Sequence, residues 1–254
     1  MNFKTYTLLF LAFAAVFHYG FFRDHKTKPA TTNSIVIGTS ADYPPYAFID
    51  LQTNTVVGFD VDIAREVARR MGKECTIKDV PFQSLIFGLL AEDIDIIAAG
   101  ISPTPRRAKA VSFSNNYLEG DPLVVLYNKN KNVNSLEELK ELTIVVNTGY
   151  TADLFLSKIP KLKLTRLDTP PEAIMSLSTN SVDAFVCAQS SLNNMGKTKN
   201  LDEFDRFIIP ETGDSYALAT SKRRTEFVQK INKALSSMKK DGTLKALQTK
   251  WDLI

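Results

Sequence analysis

Two stretches of this chain, 34–99 and 143–187, each alternate short runs of β-branched residues with amphipathic segments, and this alternation constrains the fold more than any other feature. Residues 34–38, SIVIG, read as a buried strand ending in a turn. Residues 58–72, GFDVDIAREVARRMG, predict a helix with Val61, Ala64, Val67, Ala68 and Met71 inward and Arg65, Glu66, Arg69 and Arg70 in water. Gly72 stands where a C-terminal cap belongs. Residues 75–80 read as a strand, 82–91 as a helix with Leu85, Ile86, Leu89 and Leu90 inward, and 95–99 as a buried strand. A strand over 121–127 opens a second set: strands at 143–147 and 183–187, helices at 152–159 and 171–179. The chain closes with a strand at 215–219, a helix over 225–240 lined by Phe227, Ile231, Leu235 and Met238, a break at Gly242 and a last short helix to Trp251.

Repeated β-α-β-α-β order predicts an α/β fold with mostly parallel sheets covered by helices. Two such units make two lobes, with a ligand cleft outside the carboxyl ends of the strands. The 254 residues are enough for two cores, and 44% hydrophobic content is ordinary for a globular chain.

The N-terminus differs. Lys4 precedes an apolar run from Leu8 to Phe17, too short for the about 20 apolar residues of a spanning helix. Residues 1–22 therefore read as a secretory signal peptide or N-terminal anchor, and 23–33 as a polar linker. Residues 1–28 hold four of the 31 basic residues and one of the 28 acidic ones, leaving 27 of each. A neutral body argues against nucleic acid, which demands a basic surface. Both histidines, His18 and His25, lie within residues 1–28, and the two cysteines, Cys75 and Cys187, form no metal motif. They read as separate thiols rather than a bridge. Neither a metal nor a cofactor is expected.

Six segments carry a resemblance: GTSADYPPYAFID, VGFDVDIAREVARRMGKECT, FQSLIFGLLAEDIDIIAAGISPTPRRAKAVSFSNNY, VVNTGYTADLF, NSVDAFV and KINKALSSMKKDGTLKALQTKWD. Taken in order, with a resemblance that runs over about residues 34–252, they make the chain similar to the periplasmic polar-amino-acid-binding proteins of ABC importers (bacterial solute-binding protein family 3), of the arginine- and lysine/arginine/ornithine-binding type. The resemblance implies two lobes joined by two crossing strands that close by hinge motion. Lobe 1 is then 34–118 plus 213–254, and lobe 2 is 119–212. It implies a monomeric, exported, periplasmic protein, not an enzyme, that takes a free polar amino acid, arginine foremost, to a permease in the inner membrane.

A zwitterion in a closed cleft needs a partner for each charge. By the family's pattern Arg107, not Arg106, clamps the ligand carboxylate with its forked donors. Ser102, the backbone at Gly100 and Thr151, near a helix start, add hydrogen bonds. Tyr43 and Phe82 match the paired aromatic walls for the side chain. Asp42 and Asp60 are candidates for the distal charge, although Asp60 equally reads as a helix cap. Ser40 stands where some relatives carry an aspartate for a basic side chain. Relatives place an aspartate for the ammonium after the lobe-2 strand. Here Ala188 and Gln189 stand instead, and the Gln189 amide oxygen accepts one hydrogen bond without neutralising the charge. Tyr150 replaces a smaller residue common in relatives. Cys75 matches half of a disulfide found in some relatives, but Ala68 occupies the other half.

Two other classes use the same scaffold. A dehydratase-like enzyme needs a positioned acid or base in the cleft, for which Glu119, Asp121 and Glu211 are the candidates. A ligand sensor or surface-displayed binding protein needs the same lobes and an intact anchor.

Overall fold

The computed structural model describes residues 33–197 and 200–253. The chain divides after Asn33, and Ser34–Ile254 form the second unit, which is compact. The signal or anchor reading of 1–22 lies outside the described residues, as does the linker reading of 23–33 apart from Asn33.

The second unit opens with β1 (Ser34–Thr39), β2 (Asp42–Tyr43), β3 (Ala47–Asp50), β4 (Thr55–Val57), β5 (Glu74–Asp79), β6 (Ile96–Ile97) and β7 (Val111–Phe113). It continues with β8 (Leu118–Asp121), β9 (Leu123–Asn128), β10 (Thr143–Asn147), β11 (Lys163–Leu167), β12 (Ala184–Ala188), β13 (Phe204–Ile208), β14 (Asp214–Tyr216) and β15 (Ala219–Ser221). Two five-stranded sheets result, in the orders β5-β1-β6-β15-β7 and β11-β10-β12-β9-β13. Each has a parallel core, β5-β1-β6 in one and β11-β10-β12 in the other. Each is completed by antiparallel neighbours. The sheets are thus more mixed than the βα alternation predicts. The antiparallel strands β9 and β15 are those the chain enters after crossing between the halves on β8 and β14. Those two crossing strands pair with each other, with a bulge between Asp214 and Ser215.

Local chemistry explains where expected elements end. The strand foreseen over 121–127 is two strands, β8 and β9, because Pro122 has no N–H for a ladder. The strand foreseen over 215–219 is likewise divided between β14 and β15. Among the strands without a prediction, β11 and β13 are sheet edges whose exposed Lys163, Arg166, Asp205 and Arg206 hide the apolar alternation. The small β2-β3-β4 sheet was also unread.

The helix Phe59–Arg70 buries Val61, Ile63, Ala64, Val67 and Ala68. It ends before Gly72 at φ +66°. Arg70, expected in water, instead bridges Glu66 and Asp241 at 2.6 Å each, and so fastens this helix to the end of Thr225–Lys240. In the helix Leu85–Leu90, only Leu85 and Leu89 are buried, and Leu90 is 52% exposed rather than inward. Six residues make fewer than two turns, and the i, i+4 pair takes the whole inner face. Apolar clusters cover both faces of both sheets. Cys75 lies on β5 of one sheet and Cys187 on β12 of the other, both as free thiols.

Gly58 sets the entry of the first helix. Its φ of +140° and ψ of 171° belong to a region open in practice only to glycine. A Cβ there would lie 2.2 Å from the Tyr46 carbonyl oxygen. Gly58→Ala is therefore expected to destabilise the protein by at least about 2 kcal/mol in chemical denaturation, from the strained backbone and the displaced carbonyl together.

Candidate functional site

The carboxyl ends of β1, β6 and β10 and the crossing strand β14 converge on one region, and most of the expected ligand residues are there. Thr104 accepts the Arg107 N–H at 3.2 Å and Pro105 follows it, which starts the short helix Pro105–Ala108. That turn sends Arg107 inward, 7% exposed, and leaves Arg106 outside. The guanidinium donates to the Ser102 carbonyl at 2.8 Å and to the Gly149 carbonyl at 2.9 Å. Ser102 and Gly149 come from different halves, so Arg107 spans the cleft. Its carbon lies 5.3 Å from the Phe82 ring centroid. Burial pushes its pKa down to about 10, so it stays cationic at neutral pH.

Gly100 takes φ +57°, and a Cβ there would lie 2.8 Å from a Tyr43 ring carbon. The ring can rest on this loop only because glycine stands in it. Tyr43 is buried and stacks on Tyr46 at 5.2 Å, with an interplanar angle of 20°. Phe82 lies in a single 3-10 turn, Phe82–Ser84. Between these two walls stands Tyr150, its ring 5.4 Å from Tyr43 and 4.4 Å from Phe82.

Asp60 does not face the cleft. It is fully buried, and its carboxylate accepts the Gly100 N–H and, at 2.8 Å, the Tyr117 hydroxyl. Nor does it cap the helix, because the capping position is Gly58. In the first turn of the helix, its side chain points under the loop that carries Gly100 and Ser102, so it positions the site from behind. Burial pushes its pKa up to about 7, against both hydrogen bonds.

Ser40 is buried and donates to Asp42 at 2.8 Å. Burial also pushes the Asp42 carboxyl up, with Asp79 and Glu172 as further acidic neighbours. The Thr151 hydroxyl is engaged with Asp214, the first residue of β14. Sequence reading missed Asp214, since it precedes the expected strand and belongs to no motif. Burial raises its pKa, while the Thr151 hydrogen bond and the Arg107 charge lower it.

Gln189 is not brought to this group. It is the first residue of the helix Gln189–Met195, and its N–H donates to the Pro122 carbonyl. The helix start turns it toward a different recess, lined also by Glu119, Asn193 and Trp251, which shares no residue with the one holding Phe82, Arg107 and Gly149. Asp121, a candidate acid, is committed to structure: it accepts from Tyr46 at 3.0 Å, Tyr216 at 2.8 Å, and both the N–H and hydroxyl of Ser190. Glu119 accepts from Asn116 at the surface, and Glu211 is exposed. No metal-binding group of acids, histidines and cysteines occurs among the described residues.

Two α/β halves on two crossing strands, with a buried cation bridging them and aromatic walls beside it, define a binding protein that encloses a small charged solute. The chain belongs to the bacterial extracellular solute-binding proteins, family 3, whose pattern matches residues 35–253. It is a solute-binding protein and not an enzyme. It is 30% identical over 225 residues to the arginine-binding extracellular protein ArtP of Bacillus subtilis (strain 168), covering 85% of each chain. It superposes on an ancestral arginine-binding protein bound to arginine with a TM-score of 0.80, at 31% identity, over 86% of this chain and 98% of that one. An ancestral arginine-binding protein bound to glutamine gives a TM-score of 0.81 at 32% identity, over 87% and 98%. No helix among the described residues is long and apolar enough to cross a membrane.

Because the folded Asp60 holds its proton to higher pH than an unfolded aspartate, the folded state binds more protons between about pH 4 and about pH 7. Its contribution to stability is therefore full below that window and lost as pH rises through it. Asp60→Asn is expected to flatten the fall in unfolding free energy between pH 5 and pH 8, as read by chemical denaturation at both.

Proposed function

We propose that this protein captures a free amino acid with a basic side chain, arginine foremost, outside the inner membrane and delivers it to an ABC-transporter permease. One observation carries the reading: the Arg107 guanidinium is held in the cleft by two neutral carbonyls, with its charge uncompensated by either. Such a cation favours an anionic group arriving with the ligand, and its fork suits a carboxylate. Asp214 supplies the opposite pole. It is a partly buried acid near Arg107, and it takes over the ammonium contact that the residues at 188 and 189 do not make. Ser102 stands with both. The aromatic walls Tyr43 and Phe82 then accept the ligand's stem, and Asp42, steadied by Ser40, meets a distal positive charge. Relatives named for binding arginine, among them ArtP, support the same ligand.

In this reading lobe 1 comprises 34–118 and 213–254, lobe 2 comprises 119–212, and closure turns on β8 and β14. One chain provides the whole site, so a monomer is sufficient. The protein works in the periplasm after export, its first 22 residues serving as signal or anchor.

Isothermal titration with the twenty amino acids tests this. Arginine is expected to bind tightest, and Arg107→Ala and Asp214→Asn each to weaken it at least about tenfold, or about 1.4 kcal/mol. Tighter binding of glutamine or histidine overturns the basic ligand. Unchanged affinity in either variant removes that residue's role.

A further inference from the structure

The slot between Tyr43 and Phe82 is filled by the chain itself. Tyr150 follows Gly149 at the end of β10 and precedes the helix Thr151–Leu156, so it comes from the half opposite to both walls. Its ring meets Tyr43 edge-on, at 5.4 Å and 89°, and lies against Phe82 at 4.4 Å and 49°. These are contact distances for aromatic pairs, so no second planar group fits between the ring and either wall. The Tyr150 hydroxyl is buried and has no hydrogen-bond partner. Leaving a buried hydroxyl unpaired is unfavourable. The ring therefore rests there by its apolar packing, against the preference of its polar end. Asp42 and Arg107 both act on the phenol electrostatically, so it lies within reach of both the carboxylate clamp and the distal acid. Gly149 before it takes φ +75°, a conformation that other residues rarely adopt, and a Cβ built there would meet no atom within 4 Å.

We propose that Tyr150 is the specificity-determining residue of this cleft: its ring occupies the side-chain slot, so that a long ligand side chain enters only by displacing it, while a short one binds with the ring in place. This rests on the reading that the cleft binds a free amino acid. Arg107 and Asp214 grip the groups common to all amino acids, and Tyr150 sets the cost of everything beyond Cβ. The penalty falls on arginine, lysine and glutamine and spares serine and alanine.

The test is titration of the full chain and its Tyr150→Thr and Tyr150→Phe variants with those five amino acids, with thermal unfolding to show that each variant is folded. Tyr150→Thr is expected to tighten arginine, lysine and glutamine at least about tenfold relative to serine and alanine. Tyr150→Phe keeps the ring and is expected to stay within about threefold of the unaltered protein throughout. Long-chain affinities that stay the same or fall in Tyr150→Thr overturn the proposal, as does a Tyr150→Phe profile equal to that of Tyr150→Thr, which would give the effect to the hydroxyl. The parent reading fails differently. If a short amino acid binds the unaltered protein best and arginine overtakes it only in Tyr150→Thr, arginine is wrong as the natural ligand and the role of Tyr150 stands. If none of the five binds any of the three proteins, both fall.

Discussion

A guanidinium buried without a carboxylate at its fork is costly, and the architecture around the cleft is arranged to hold Arg107 in that state. Carbonyls from the two halves satisfy part of its donor set without cancelling its charge. Thr104 and Pro105 start the turn that aims it inward. Behind it, Asp60 ties the Gly100 peptide to Tyr117, which keeps the loop carrying Ser102 from relaxing away. A cation kept this way is poised for an anion from outside, and the proposed carriage of a zwitterion depends on it.

The second constraint is how the halves stay connected while remaining separable. Asp121, on the first crossing strand, gathers Tyr46 from the first sheet's side, Ser190 from the second and Tyr216 from the returning strand. One buried carboxylate with four donors fixes the geometry of both crossings. Further ties between the halves are Arg107 to Gly149, Thr151 to Asp214, Gln83 to Asp168 and Lys197 to Asp252. Several of these use groups that a ligand would also want. Closure and binding then draw on the same side chains, the arrangement expected where ligand drives a hinge.

In the proposed site a charge is moved rather than lost. Ala188 leaves the end of β12 without an acid, and Gln189 turns away with its helix. Asp214 stands on the neighbouring crossing strand instead, close enough to Arg107 and Asp121 for each to shift its ionisation. In the proposed reading the electrostatic requirement of an amino-acid ligand is met from a different element, so the two poles of the site belong to different parts of the chain.

Much of this was legible in the residues. The βα alternation and the six ordered segments gave the two-lobed α/β class, and the resemblance those segments carry distinguished Arg107 from Arg106. Helix ends at Gly72 and Gly242 followed from their backbone freedom. What stayed hidden was decided by contacts between distant segments. The turn of Asp60 under a loop 40 residues on, the divergence of Gln189, the arrival of Asp214 and the entry of Tyr150 between two walls from the other half all depend on how the halves meet. Periodicity reports which face of an element is apolar, because burial next to the element's own sheet is a local matter. It does not report which polar groups meet across a cleft, because their partners lie far off in sequence and only the packed chain brings them together.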